Sequence, residues 1–222
     1  MVASITDVLI VAAFHPELAA LERTLGEAMS GRVGPLVVTA RAVGIGLSMG
    51  AVGSAMCIAE MKPRAVVLVG TCGAYAGASF AIGDVVVARR VQLVAPSALT
   101  GASQFPEPMS LTLDAHGGMA GGLAAAGGRL ADVANTLAVT VDDATAARIA
   151  QATGASAEHL EAHGVATACA ARGVPFAAAL GVANIVGARA REEWRAHHRA
   201  SAEAAVHAVL RWLLGSARVI QG

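Results

Sequence analysis

The chain has 222 residues, and its 16 basic and 16 acidic side chains balance to no net charge. This balance argues against nucleic acid as a partner, because phosphate contacts need a basic surplus. Apolar residues make up 55% of the chain and aromatic residues only 3%, so the core must consist of small aliphatic side chains packed closely at the 25 glycines. Cys57, Cys72 and Cys169 fit neither a metal-ligand spacing nor a disulfide framework, which favours a reducing cytoplasm.

The N-terminal segment lacks the basic leader and hydrophobic core of a signal peptide, since Asp7 and Glu17 interrupt it early. The longest uncharged run, Ala42 to Ala59, approaches the length of a membrane span. Glycines interrupt this run, so we interpret it as a strand end, a glycine turn and a buried helix. The sequence therefore predicts no membrane association.

Apolar runs typical of buried strands alternate along the chain with helical patterns. The predicted strands cover residues 7–13, 36–43, 65–69, 85–88, 136–141 and 174–182. Helices are predicted from Pro16 onward and over residues 48–61, 144–153, 161–172 and 189–214. Residues 94–128 are rich in Gly, Pro, Ser and Ala, which indicates a long loop with one short helix, or a lid. Alternating elements predict one α/β domain over residues 1–222, with three layers and a central mixed, mainly parallel sheet between helices.

Three glycine-rich segments follow predicted strands: 43–46, 69–73 and 82–84. In open α/β sheets, ligands bind beyond the carboxyl ends of the strands, and glycine there lets backbone N–H groups approach a ligand. None of the segments has the spacing of a dinucleotide fingerprint or a phosphate-binding P-loop, so no cofactor is predicted.

Three motifs together resemble the nucleoside phosphorylase and nucleosidase superfamily. They are Val69–Ala74 followed by Ile82–Val86, Glu158–Glu161 in place of a Glu-x-Met-Glu motif, and Gly181–Asn184 in place of a Ser-Asp or Ser-Asn pair. Their order and gaps match over nearly the whole chain. The resemblance implies the nucleoside phosphorylase-like fold and cleavage of the N-glycosidic bond of a purine nucleoside. Futalosine hydrolases, which release hypoxanthine, look most similar.

The resemblance implies a ribose site around Glu161. Cleavage of the bond builds positive charge on the sugar, and a carboxylate that accepts both ribose hydroxyl protons favours that charge. Leu160 stands where the family has Met. The resemblance also places Thr71, Cys72 and Gly73 along the sugar and base, mainly through their backbone N–H groups. Glu161 could instead simply complement the N-terminus of its helix.

Asn184 and Glu17 are the predicted catalytic residues. The amide of Asn184 can pair with N7 and the 6-oxo group of hypoxanthine or guanine, or it could merely cap the following helix. Glu17 occupies the place of the glutamate that activates water in the hydrolytic branch. Such a base needs a partly desolvated site that raises its pKa toward neutrality. Its alternative is an ordinary acidic residue on a surface helix.

Water is favoured over phosphate as the second substrate, because Leu68 stands where similar phosphorylases have an arginine. Leu47, Leu180 and Ala183 also depart from the family pattern. A methylthioadenosine/adenosylhomocysteine nucleosidase, a purine phosphorylase and a non-catalytic nucleoside-binding protein therefore stay open as alternatives.

Further expectations concern metals and partners. His159 and His163 have a spacing that a metal could use, but no third ligand is evident, so no metal is predicted. Arg189 and Arg191 most simply belong to a solvated helix face, with contact to a substrate carboxylate as the alternative. Dimeric relatives suggest a homodimer or higher homo-oligomer, in which the middle loop with Phe105 covers the substrate or reaches a neighbouring subunit.

Overall fold

A computed structural model describes residues 6–215. Nine strands of this described part form one sheet, with β1 at Val8–Ala12, β2 at Ser30–Val33, β3 at Leu36–Ala42, β4 at Ala65–Ala74, β5 at Val85–Leu93, β6 at Thr112–Asp114, β7 at Arg129–Asn135, β8 at Ala157–His159 and β9 at Phe176–Ile185. The helices are α1 at Ala19–Leu25, α2 at Leu47–Met61, α3 at Pro96–Leu99, α4 at Gly117–Ala125, α5 at Asp143–Thr153, α6 at Ala162–Ala170 and α7 at Ala190–Gly215. A 3-10 turn, His15–Leu18, precedes α1.

Strand β4 lies at the centre of the sheet. It pairs in parallel with β1 and β9 and antiparallel with β8. The remaining pairs close a ring β4–β9–β5–β7–β8, from which β1, β3 and β2 extend on one side and β6 on the other. This arrangement confirms an α/β fold with a mixed sheet flanked by helices.

Strands β1, β4 and β9 are buried nearly throughout, because helices cover both faces of the sheet. One apolar cluster includes Leu21, Val67 and Val209, and the other includes Leu68, Val165 and Leu180. The predicted strands at 7–13 and 36–43 and the helices at 144–153 and 189–214 are confirmed to within one or two residues.

The predicted strand at 136–141 is wrong. Strand β7 ends at Asn135, and residues 136–142 form an irregular loop. In this segment the apolar residues Leu137, Val139 and Val141 are exposed to solvent, and the polar residue Thr140 is buried. A strand that packs on a core would bury its apolar residues and expose its polar ones. Burial of Thr140 costs little, because its backbone N–H and hydroxyl both donate to the Glu158 carboxylate, at 2.9 and 2.6 Å.

The segment 94–128 contains α3, β6 and α4, which is more structure than the predicted loop with one helix. Helix α4 forms despite its glycines because the His116 side chain accepts the N–H of Met119, and Met119 and Leu123 are buried. The predicted strands at 65–69, 85–88 and 174–182 are too short or shifted, and the short strands β2 and β8 were not predicted.

Helix α2 confirms that the apolar run after Ala42 is a glycine turn and a helix, but the helix is buried on one face only. Its inner face packs on α6, where a side chain at Gly164 would collide with α2. Its outer face leaves Met49, Val52 and Met56 more than half exposed. Within residues 6–215, no helix is long and apolar enough to cross a membrane.

Candidate active site

The carboxyl end of β4 positions the candidate site. Because side chains alternate along a strand, Thr71 and Gly73 share one face, and Cys72 points to the other. The Cys72 thiol lies in the core, 3.8 Å from the carbonyl oxygen of Leu180, and burial raises its pKa. Its side chain therefore does not face the predicted site, although its backbone belongs to the same strand end.

Glu17 lies in the 3-10 turn after β1, and only 5% of its surface is exposed. Its Oε1 accepts hydrogen bonds from the backbone N–H of Thr71 at 3.0 Å and from the Thr71 hydroxyl at 3.1 Å. Its Oε2 accepts the N–H of Ala13 at 3.2 Å. The interpretation as an ordinary surface glutamate is therefore wrong. The Thr71 N–H, which was expected to face a ligand, instead serves this carboxylate.

Burial, and to a smaller extent the nearby charge of Glu161, raise the pKa of Glu17 to about 7, even though the hydrogen bonds from Thr71 and Ala13 act to lower it. Gly70 makes room for the carboxylate, since a Cβ at Gly70 would lie 3.0 to 3.2 Å from both of its oxygens. The carboxylate is therefore held in one place and poised to exchange a proton near neutral pH.

Glu161 precedes the first residue of α6 but does not cap it. Its Oε1 accepts the N–H of Gly46, in the turn before α2, at 2.6 Å. The Glu161 side chain therefore does not cap the N-terminus of α6, which was the alternative to a role in ribose binding. Gly50 of α2 also lies against it, since a Cβ there would be 3.0 Å from the Cβ of Glu161. The side chain is buried, and its charge is near enough to raise the pKa of Glu17.

His159 supplies the cap that Glu161 does not. Its Nδ1 accepts the N–H groups of Glu161 and Ala162, each at 3.1 Å, so Nδ1 carries no proton. Burial lowers the pKa of His159, which agrees with a neutral ring, and its Nδ1 lies 3.3 Å from the Glu161 carboxylate without forming an ion pair. Sequence reasoning flagged this histidine but did not identify its role.

Asn135 anchors the same turn from β7 and was not predicted. Its side-chain oxygen accepts the N–H of His163 at 2.9 Å, and its Nδ2 donates to the carbonyl oxygens of Thr136 and Leu160. Leu160, half-buried, is thereby held beside Glu161. No signal in the sequence indicates this role, since the strand is predicted at 136–141 and Asn135 precedes that segment.

Asn184 lies next to Gly73 across the β4–β9 pair. The register shifts between Cys72 and Gly73, so Ala183 is the extra residue of a bulge that re-aims Asn184. A Cβ at Gly73 would come within 2.7 Å of the Asn184 amide nitrogen, so only glycine leaves enough space for this amide. Nδ2 donates one hydrogen bond to the carbonyl oxygen of Ile185, at 3.1 Å, rather than capping α7.

Two of the three predicted polar residues, Glu17 and Asn184, therefore lie at the end of β4, and the third, Glu161, lies near Glu17. The charge of Glu161 is close enough to raise the pKa of Glu17, and Thr71 and Gly73, two residues apart on β4, contact Glu17 and Asn184 respectively. Two residues of strand span roughly 7 Å, which suits a sugar and its base. Two surface cavities, of about 390 and 320 Å³, are lined by other residues.

Several charged residues lie outside this group. Arg89 pairs with Asp132 at 2.8 Å, and the exposed Arg189 pairs at 2.7 Å with Glu193, whose mostly buried carboxylate also accepts the N–H of Ile185. Arg41 donates to the carbonyl oxygen of Ala40. Among residues 6–215, no three His, Cys, Asp or Glu side chains cluster as metal ligands do.

A family model described as the phosphorylase superfamily matches residues 9–215. The chain belongs to this superfamily. No curated protein sequence matches it.

Solved structures share the fold. A 5′-methylthioadenosine/S-adenosylhomocysteine nucleosidase from Neisseria meningitidis is 17% identical, with a TM-score of 0.84 over 94% of this chain and 98% of that one. An S-adenosylhomocysteine nucleosidase from Streptococcus pyogenes is 21% identical, with a TM-score of 0.85 over 97% and 99%. A futalosine hydrolase from Helicobacter pylori is 15% identical, with a TM-score of 0.83 over 94% and 97%.

Proposed function

We propose that this protein hydrolyses the N-glycosidic bond of a purine nucleoside. The observation that supports it most is Glu17, a buried carboxylate with a pKa of about 7 beside a second buried carboxylate, Glu161. A base whose pKa lies near the working pH is best suited to take a proton from water. Family membership and the nucleosidase neighbours agree with this reaction.

In this mechanism Glu161 accepts hydrogen bonds from the ribose 2′- and 3′-hydroxyls and favours the positive charge that develops on the sugar. Glu17 removes a proton from the attacking water as the water oxygen bonds to C1′ and the C–N bond breaks. The bonding electrons leave with the base, which takes up a proton from solvent at N7, and Glu17 afterwards releases the proton that it took from water to solvent. Phosphate is disfavoured as the nucleophile because the Glu17 carboxylate repels it, and Leu68 is fully buried in β4.

A 6-oxopurine such as that of futalosine, which would be released as hypoxanthine, is the favoured leaving group. One N–H of Asn184 is used by Ile185, which leaves its second N–H for the 6-oxo group and its side-chain oxygen for the proton on N7. An ionised aspartate at this position would offer no donor to a 6-oxo group. An adenine-cleaving nucleosidase is the second candidate, since several neighbours with this fold act on methylthioadenosine or adenosylhomocysteine.

The test is base release from futalosine, inosine, methylthioadenosine and adenosylhomocysteine, each with and without phosphate. We expect hypoxanthine without added phosphate, and loss of turnover with retained ligand binding in Glu17→Gln. Glu27→Gln, which changes an exposed glutamate, is the matched control. Adenine as the released base would favour the second candidate. Binding without turnover on all four nucleosides would favour a non-catalytic nucleoside-binding protein.

We also propose that the protein is a homo-oligomer. The outer face of α2 and the turn before it expose Ile45, Met49, Val52 and Met56, and contiguous apolar surface of this kind marks interaction sites. Light scattering should give a dimer or larger species, and Met56→Lys should reduce it to the monomer. The matched control is Leu130→Lys, which changes a half-exposed leucine on β7. A monomeric wild type would end this proposal.

A further inference from the structure

Trp194, in the first turns of α7, is connected to the carboxylate of Glu17 through the hydroxyl group of Thr71. Its indole Nε1 lies 3.1 Å from the Thr71 hydroxyl oxygen, and that oxygen lies 3.1 Å from Glu17 Oε1. Two aromatic residues hold the indole ring in place, one from an earlier part of the chain and one from the next turn of α7. It stacks on His198 at 4.3 Å between ring centres and 17° between planes, and Phe14 lies 6.4 Å away.

The direction of these hydrogen bonds follows from the donor inventory. An indole N–H is a donor only, so the Thr71 hydroxyl must accept from Trp194. The hydroxyl proton is then left to be donated to Glu17 Oε1, which also accepts the Thr71 backbone N–H. A proton on Oε1 would leave the Thr71 hydroxyl without this acceptor. Glu17 Oε2, which accepts only the longer bond from Ala13, is the oxygen that remains open.

We propose that Trp194 is a positioning residue for Glu17, which fixes the Thr71 hydroxyl as a donor to Oε1 and thereby makes Oε2 the oxygen that takes the proton from water. The inference rests on the proposed role of Glu17 as the base. Helix α7 would thus help to orient the Glu17 carboxylate. This orientation also depends on Gly70, because the absence of a side chain there lets the carboxylate lie beside β4.

Other titratable groups lie near the hydrogen bonds that join Trp194, Thr71 and Glu17, and the test must distinguish their effects from that of Glu17. Glu161 and, behind it, His159 approach from the start of α6. His198 approaches from α7 itself, where its Nδ1 donates to the carbonyl oxygen of Trp194 at 3.0 Å. Because its ring also stacks on the indole, a variant at His198 is part of the test.

The chain has two tryptophans, so an NMR spectrum of indole N–H groups contains one signal for Trp194 and one for Trp212. We expect the Trp194 signal to shift with a midpoint near pH 7, following ionisation of Glu17. Glu17→Gln and Thr71→Val should each abolish this shift, and Thr71→Ser should keep it. The Trp212 signal is the internal control, and His198→Gln should leave the midpoint in place. A shift unchanged in Thr71→Val would overturn the proposal.

Kinetics provide the second measurement. Trp194→Phe keeps an aromatic ring on His198 but removes the N–H donor. We expect kcat to fall about tenfold, the upper end of the range for loss of one hydrogen bond between neutral groups, with KM changed less than twofold. In a Thr71→Val background the same change should have no further effect on kcat. Additive losses would show that Trp194 acts by another route. The NMR titration needs no turnover, so failure of the proposed reaction and failure of this inference are distinguishable.

Discussion

The raised pKa of Glu17 makes a prediction about stability that does not depend on any substrate. In the folded protein Glu17 holds its proton up to about pH 7, whereas in the unfolded chain it loses it near its ordinary value of 4.5. The folded state therefore binds more protons between these values. The stability that Glu17 contributes is fully present below about pH 4.5 and is lost as the pH rises through 7.

The magnitude follows from the size of the shift. A change from 4.5 to about 7, at about 1.4 kcal/mol per unit, corresponds to about 3 kcal/mol when Glu17 is fully ionised, and about 2 to 3 kcal/mol of it falls between pH 5 and pH 8. Glutamine is neutral at every pH. Glu17→Gln should therefore gain about that much stability relative to the wild type on going from pH 5 to pH 8. The hydrogen bond lost at Ala13 costs the variant about 1 kcal/mol at both pH values, so it does not change this pH-dependent gain.

The assay is urea unfolding of both proteins at pH 5 and pH 8, at one fixed protein concentration because an oligomer's stability depends on it. The difference between the two proteins cancels other titrating groups such as His159. Glu27→Gln, at an exposed site, should show no change with pH. A difference below about 0.5 kcal/mol between the two pH values would refute the raised pKa and, with it, the role of Glu17 as the base.

Three further outcomes follow from the site. Gly70→Ala should reduce kcat at least about tenfold, since its Cβ would lie within 3.2 Å of both Glu17 oxygens and displace them; Gly121→Ala, where nothing lies within 4 Å of the added atom, is the control. Asn184→Asp should lower kcat/KM for 6-oxopurine nucleosides, and unchanged kinetics would exclude the pairing with the base. Cys72→Ala should keep kcat, because the thiol lies in the core; loss of activity in a protein that still folds would contradict that placement.

The fold could be predicted where a strand is buried on both faces or a helix has a regular period, as in β1 and α7. It could not be predicted where tertiary contacts decide. Residues 136–141 alternate as a strand does, but Glu158, distant in sequence, binds Thr140 and turns the segment into a loop. Helix α4 likewise depends on packing of its buried residues rather than on its glycine-rich composition.

The candidate site could be predicted as far as the residues that meet there, because the motifs lie at strand ends that a parallel sheet brings together. Their partners could not be predicted. Nothing in the sequence indicates that Glu161 reaches Gly46, that His159 caps α6 in its place, or that Trp194 contacts Thr71. These contacts join segments up to 123 residues apart, and they depend on angles between elements that composition and spacing do not encode.

The closed ring of strands has a consequence for local dynamics. Both flanks of β4 and β9 are hydrogen-bonded to other strands, so neither can fray from a free edge. In the part of the chain that the structure describes, the strands at the ends of the path are β2 and β6, which are short and carry charged side chains such as Arg32 and Asp114 that discourage pairing with another molecule. Amide protons in β4 should therefore exchange with deuterium only through global opening, and those in β2 and β6 far sooner.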